Sequence, residues 1–90
     1  MGELRKIPGV GKEIEKDLMG LGINSIKELV GKDPQELYDR ECMMKRVKID
    51  RCQLYVYRLA VYFAENNEQE AEKLKWWYWK DKEYPYPVKN

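Results

Sequence analysis

Apolar residues recur along this chain at helical spacing, in stretches cut by glycine, proline and capping residues. Leu4 and Ile7, three apart, predict a short first helix that Pro8 ends. The turn Gly9-Val10-Gly11 leads to a second helix over about 12–21, with Ile14, Leu18 and Leu21 on one face and Gly22 as its stop. Asn24 or Ser25 caps a third helix running to Val30. Ser25 and Glu28 have capping-box spacing, and Gly31 closes the segment. Asp33-Pro34 opens a fourth helix, about 34–44, as N-cap and first-turn proline. It is expected to bury Leu37, Tyr38, and Cys42 or Met44. Beyond a basic connector, 43–49, Asp50 caps the longest helix, about 51–65. This helix is apolar nearly all round, which predicts the centre of a bundle. A last helix over about 68–77 offers Ala71, Leu74 and Trp77 to the core. Pro85 and Pro87 forbid a helix beyond it, so 82–90 is expected to be an extended or disordered tail. No strand pattern competes. The expected fold class is all-α: a compact five- to six-helix bundle forming a single domain over residues 1–81.

Ninety residues leave room for one core, made dense here by three Trp, seven Tyr and one Phe. Seventeen basic and sixteen acidic side chains leave a net charge of +1, which favours few contacts with a polyanion over many. The distribution is uneven. Residues 40–58 carry Arg40, Lys45, Arg46, Lys48, Arg51 and Arg58 against Glu41 and Asp50, whereas residues 65–83 carry more carboxylates than cations. A polyanion is therefore expected at the middle of the chain and its N-terminal turn. The polar Met1–Lys6 stretch and the absence of a long apolar run predict a cytoplasmic protein without a membrane anchor.

Catalytic chemistry finds little to use. The chain has no His, no nucleotide-binding glycine loop, and carboxylates scattered beside Lys, so no enzyme activity and no cofactor are expected. Cys42 and Cys52 are too few for a zinc site and are expected to be reduced, largely buried thiols. The stripe Arg51, Tyr55, Arg58 and Tyr62 is either a solvated covering of the bundle or an interaction surface for bases or a partner. The Trp76–Trp79 run either clamps the last helix, forms a homodimer contact or stacks on single-stranded bases.

The turn at Ile7-Pro8-Gly9-Val10-Gly11-Lys12 carries the sharper chemistry. Backbone amides at a helix N-terminus hold a phosphate if the backbone is bare and the turn is fixed. Gly9 and Gly11 lack Cβ; Pro8, Ile7, Val10 and Ile14 anchor the turn; Lys12 adds a cation. Such a contact reads no bases. Leu4-x-x-Ile7-Pro8-Gly9-Val10-Gly11 with Leu18, Leu21-Gly22-Ile23 and Ser25-Ile26 resembles the helix-hairpin-helix (SAM-like) pattern of DNA repair and recombination proteins. The resemblance implies phosphate binding at Gly9, Val10, Gly11 and Lys12. In some members it also implies a monovalent cation on carbonyls, which here are those of Arg5, Ile7 and Val10. Glu15 stands where the family favours Ala, so it is expected to snorkel outward or loosen the packing.

Residues 23–29 resemble the helix linking paired hairpins, which makes 43–49 a degenerate, glycine-free second hairpin where Lys45, Arg46 and Lys48 would replace bare amides. Asp33-Pro34-Gln35-Glu36-Leu37-Tyr38, Asp50–Tyr55, Arg58–Ala64 and Leu74–Asp81 make the chain similar to a small bacterial family called "pathogenicity locus" or mitomycin-resistance-like helix-hairpin-helix proteins. That family brings no firm activity with it. The expected function is sequence-independent DNA-backbone binding, accessory to DNA repair. The alternative is a protein-interaction domain that uses the same fold without nucleic acid.

Overall fold

In the computed structural model, which describes residues 3–66 and 68–80, three α-helices follow one another: α1 (Lys12–Gly20), α2 (Pro34–Lys45) and α3 (Arg51–Glu65). Four single 3-10 turns lie between and beyond them, at Glu3–Lys6, Ile26–Leu29, Ala71–Leu74 and Trp76–Lys80. No strand occurs among the described residues. The expected all-helical class holds, but the five to six helices reduce to three. The segments 3–6 and 26–29 are too short, between Pro8, Gly22 and Gly31, to close more than one turn. The radius of gyration is 12.3 Å, close to the roughly 12 Å of a compact domain of this length. The expected tail, 82–90, lies outside the described residues.

The capping signals account for the helix ends. Asp33 accepts from the Gln35 amide at 3.0 Å and Pro34 opens α2; Asp50 accepts from the Cys52 amide at 2.9 Å. The same amide bond holds the Asp50 carboxyl below its ordinary pKa. Glu28 reaches back to the Asn24 amide at 2.8 Å and the Ser25 hydroxyl at 3.3 Å, and Glu3 accepts from the Ile26 amide at 2.7 Å. Helix α1 ends in a Schellman motif: Gly22, at φ +91°, donates to Met19, and Ile23 donates to Leu18. Helix α2 ends the same way, but Arg46 takes the left-handed position at φ 55°, where a side chain costs about 1 kcal/mol relative to glycine.

Helix α3 is the centre, as its composition predicts. From Leu54 to Tyr62 every side chain except Tyr55 is buried. Helix α2, the Ile26–Leu29 turn and the Trp76–Lys80 turn all pack on it. This burial corrects the stripe: Arg51 is exposed and Tyr55 half-buried, but Arg58 and Tyr62 lie inside. Arg58 donates to the Trp79 carbonyl at 2.7 Å, and the Tyr62 ring meets the Trp79 ring at 5.4 Å.

The last helix is also corrected. Glu70 and Lys75 are extended, at ψ 133° and 126°, and split the segment into two turns. The reason is tertiary: the break lets Trp79 bury completely and donate its indole N–H to the Lys73 carbonyl at 2.9 Å. Trp77, expected in the core, is 57% exposed; Ala71 is exposed and Leu74 half-buried. Cys42 is half-buried and Cys52 exposed, not largely buried, and both are free thiols. Met44 is exposed as well, because Glu41 takes the inward position on α2.

This packing predicts unequal tryptophans. Trp79→Ala is expected to lower the unfolding free energy by about 3–5 kcal/mol, and Trp77→Ala by less than about 1 kcal/mol. Urea denaturation followed by circular dichroism reads both; equal losses would contradict the arrangement.

Candidate functional site

The Ile7–Gly11 turn is fixed from below. Ile7 and Val10 are buried, and their amides donate to the Leu4 and Ile7 carbonyls at 3.1 Å each. Gly9 sits at φ +87°, and a Cβ there would lie 3.5 Å from Leu59 Cδ2 and 3.8 Å from both Val56 Cγ1 and Trp76 Cβ. The turn therefore rests on α3 and on the C-terminal aromatic segment.

Gly11 is different. It is the N-cap of α1 in ordinary extended geometry, φ −97° and ψ −169°, with no side-chain hydrogen bond capping the helix. A Cβ there would meet nothing within 4 Å. Neither backbone strain nor packing demands glycine, and Ser or Asp would cap the helix better. What glycine leaves is an open approach to the first amides of α1, which have no intrahelical partner. Lys12 stands exposed beside them.

Glu15 does not snorkel outward. It is buried, 8% exposed, with Oε1 3.2 Å from Arg5 Nε. Its other oxygen is buried without a hydrogen-bond partner among the described residues. The Arg5 guanidinium offsets the negative charge that a lone Glu15 would set near the turn. Of the three carbonyls considered for a cation, that of Ile7 already accepts from Val10. No cluster of three or more acidic or Cys side chains able to hold a metal occurs among the described residues.

The second basic segment divides. Arg46 and Lys48 are exposed on the connector, whereas Lys45 belongs to a polar cluster joining all three helices. Its Nζ lies 2.8 Å from Asp17 Oδ1 on α1 and 3.0 Å from Glu41 Oε2 on α2. Beneath it, Glu41 accepts from the Tyr57 hydroxyl and from Gln53 Nε2 at 2.6 Å. Gln53 Nε2 also lies 2.8 Å from the Tyr57 oxygen and 3.1 Å from Asp17 Oδ2, so its two protons serve three acceptors by turns. The Asp17 and Glu41 carboxylates push the Lys45 ammonium above its ordinary pKa. Burial works to raise the Asp17 carboxyl, but its interactions with Lys45, Glu41 and Gln53 together outweigh it and the net shift is downward. Burial, then the bond to Glu41, pushes the Tyr57 hydroxyl well up.

Sequence reasoning placed Lys45 on a nucleic-acid surface and overlooked Asp17, Glu41, Gln53 and Tyr57. Part of the signal was present. Glu41 falls one turn beyond Leu37, on the buried stripe of α2, and Gln53 and Tyr57 are four apart on α3. Asp17 gave none, because its partners are distant in sequence.

A family model described as Cdd1, "Pathogenicity locus", matches residues 1–84. No curated protein and no solved structure matches the chain.

The cluster predicts a pH signature. Asp17 has a lowered folded pKa, so its contribution is present above the ordinary carboxylate value of about 3.9 and is lost as pH falls through the folded value. Lys45 has a raised folded pKa, so its contribution is lost only above about 10.4, as pH rises through the folded value. Lys45→Met is expected to destabilise by about 1 kcal/mol at neutral pH. That is less than for a fully buried pair, because water screens the half-exposed ammonium. The gap between variant and parent should close below pH 4. A gap that widens with acid would show the pairing to be misassigned.

Proposed function

The chain belongs to the pathogenicity-locus family, and we propose that it is a cytoplasmic helix-hairpin-helix module that binds the DNA backbone without reading sequence. One observation carries the reading: the uncapped N-terminus of α1 at Gly11, open on the side where any other residue would place a Cβ. A phosphate oxygen there would accept from the Gly11 to Glu13 amides, helped by the helix dipole and by Lys12. Gly9 and Val10 hold the turn on α3, and Arg46 and Lys48 supply further cations on the connector. Lys45, committed to Asp17 and Glu41, is no longer part of the set. An accessory role in DNA repair follows from the resemblance of the hairpin motif alone.

A second reading, protein interaction through the C-terminal aromatics, draws support from Trp77. Its ring is mostly exposed, edge-on to Trp76 at 5.6 Å and beneath Lys75 at 5.9 Å.

A titration of labelled duplex and single-stranded DNA over a salt series separates the two. Backbone binding predicts weak affinity, with a slope of log K against log salt of about −2 to −3. Gly11→Asp is expected to abolish it while leaving the fold as stable or slightly more so, because Asp caps α1 and occupies the amides. Lack of binding at low salt, with self-association that disappears in Trp77→Ala, would select the second reading.

A further inference from the structure

We propose that the groove at the C-terminal end of α2 docks an acidic, amphipathic segment of a partner protein. The groove is shallow and open to solvent, with a volume of about 530 Å³, within the size range of ligand-binding clefts. Tyr38, Met43 and Val47 give it apolar walls, and Arg46, Lys48 and Arg51 are its cations. Asp39 is the one carboxylate among its lining residues, and Gln35 Nε2 already donates to it at 3.0 Å.

Two features make this surface unlike ordinary exposed helix. Met43 is 77% exposed, the most exposed large apolar side chain among the described residues, and Val47 on the connector is 56% exposed; Met19 and Met44 are exposed on the helices as well. A flexible thioether beside a polar rim suits a surface that must adapt to a peptide. Arg46 is the second. It occupies the left-handed Schellman position that glycine fills at the end of α1, and there it borders the groove. Strain kept at a position where glycine would relieve it points to a use for the guanidinium.

The charge balance decides the occupant. Three cations against one carboxylate call for an anionic partner, and guanidinium groups bind carboxylates in a fork. Nucleic acid would answer the cations but leave Met43 and Val47 in water. A peptide with apolar residues flanked by Asp or Glu covers both, in the manner of an amphipathic helix laid in a groove. This surface does not include the Gly11 end of α1, but it shares Arg46 and Lys48 with the proposed DNA contact, so those two cations are the only link between the proposal and backbone binding.

A random dodecapeptide library, selected on the full chain and counter-selected on Met43→Asp, reads the occupant's chemistry directly. Enriched peptides are expected to combine two or more of Leu, Ile, Phe or Trp with flanking carboxylates. A synthetic representative should bind saturably in fluorescence polarisation and weaken roughly tenfold or more in Met43→Asp. Arg46→Gly is the sharper arm: it should raise Tm by a few degrees and still weaken the peptide, which excludes unfolding as the cause. Gly11→Asp should leave peptide affinity within about twofold, because no residue of α1 lines the groove and sites without shared partners act independently. Enrichment of basic peptides, or no enrichment over Met43→Asp, overturns the proposal. So does self-association lost in Met43→Asp, which would assign the groove to a second copy of the chain.

Discussion

Helix α3 needs cover on every side, and the rest of the fold follows from meeting that need. Nine consecutive residues, Leu54 to Tyr62, leave only Tyr55 partly in contact with water. In a larger protein several helices would surround such a core element. Here two others are available, so single turns at Ile26–Leu29 and Trp76–Lys80 cover what α2 leaves open. Apolar surface is removed from water by whatever backbone can reach it, regular or not. This is why a 3-10 turn carries the fully buried Trp79.

Covering the middle of α3 also encloses polar side chains of that helix, and these find partners. Arg58 turns to the Trp79 carbonyl, and the Tyr62 oxygen accepts from the Glu70 amide at 2.9 Å. Tyr57 and Gln53 meet Glu41, and Lys45 brings the compensating charge from the solvent side. A buried carboxylate is tolerable only under such conditions. The arrangement ties the half-exposed Lys45 ammonium to Asp17 and Glu41, whereas Arg46 and Lys48, its neighbours on the connector, stand exposed.

What could be read in advance divides by range. Asp33, Pro34 and Asp50 act within a few residues, so α2 and α3 began where their caps stand. The all-round apolar composition of α3 marked it as the centre without knowledge of its neighbours. The turn at Gly9–Gly11 was legible because its chemistry is local. Trp77 and Trp79 differ by two positions in a run of aromatics, and only the place of Arg58 and Tyr62 decides which goes inside. The stripe on α3 failed for the same reason: a helical wheel shows which residues share a face, not whether another segment covers it. Asp17 and Lys45 meet across two helices, beyond any periodicity.

Gly9 and Trp76 lie close together, with room between them for little more than a methyl group, although they stand near opposite ends of the described chain. A growing polypeptide makes the N-terminal turn first and the aromatic segment that supports it last. Until synthesis reaches that segment, the turn has α3 at best on one side and nothing on the other. The turn therefore has its full support only once residues 76–80 are in place, and loss of the last dozen described residues would be felt at the first dozen.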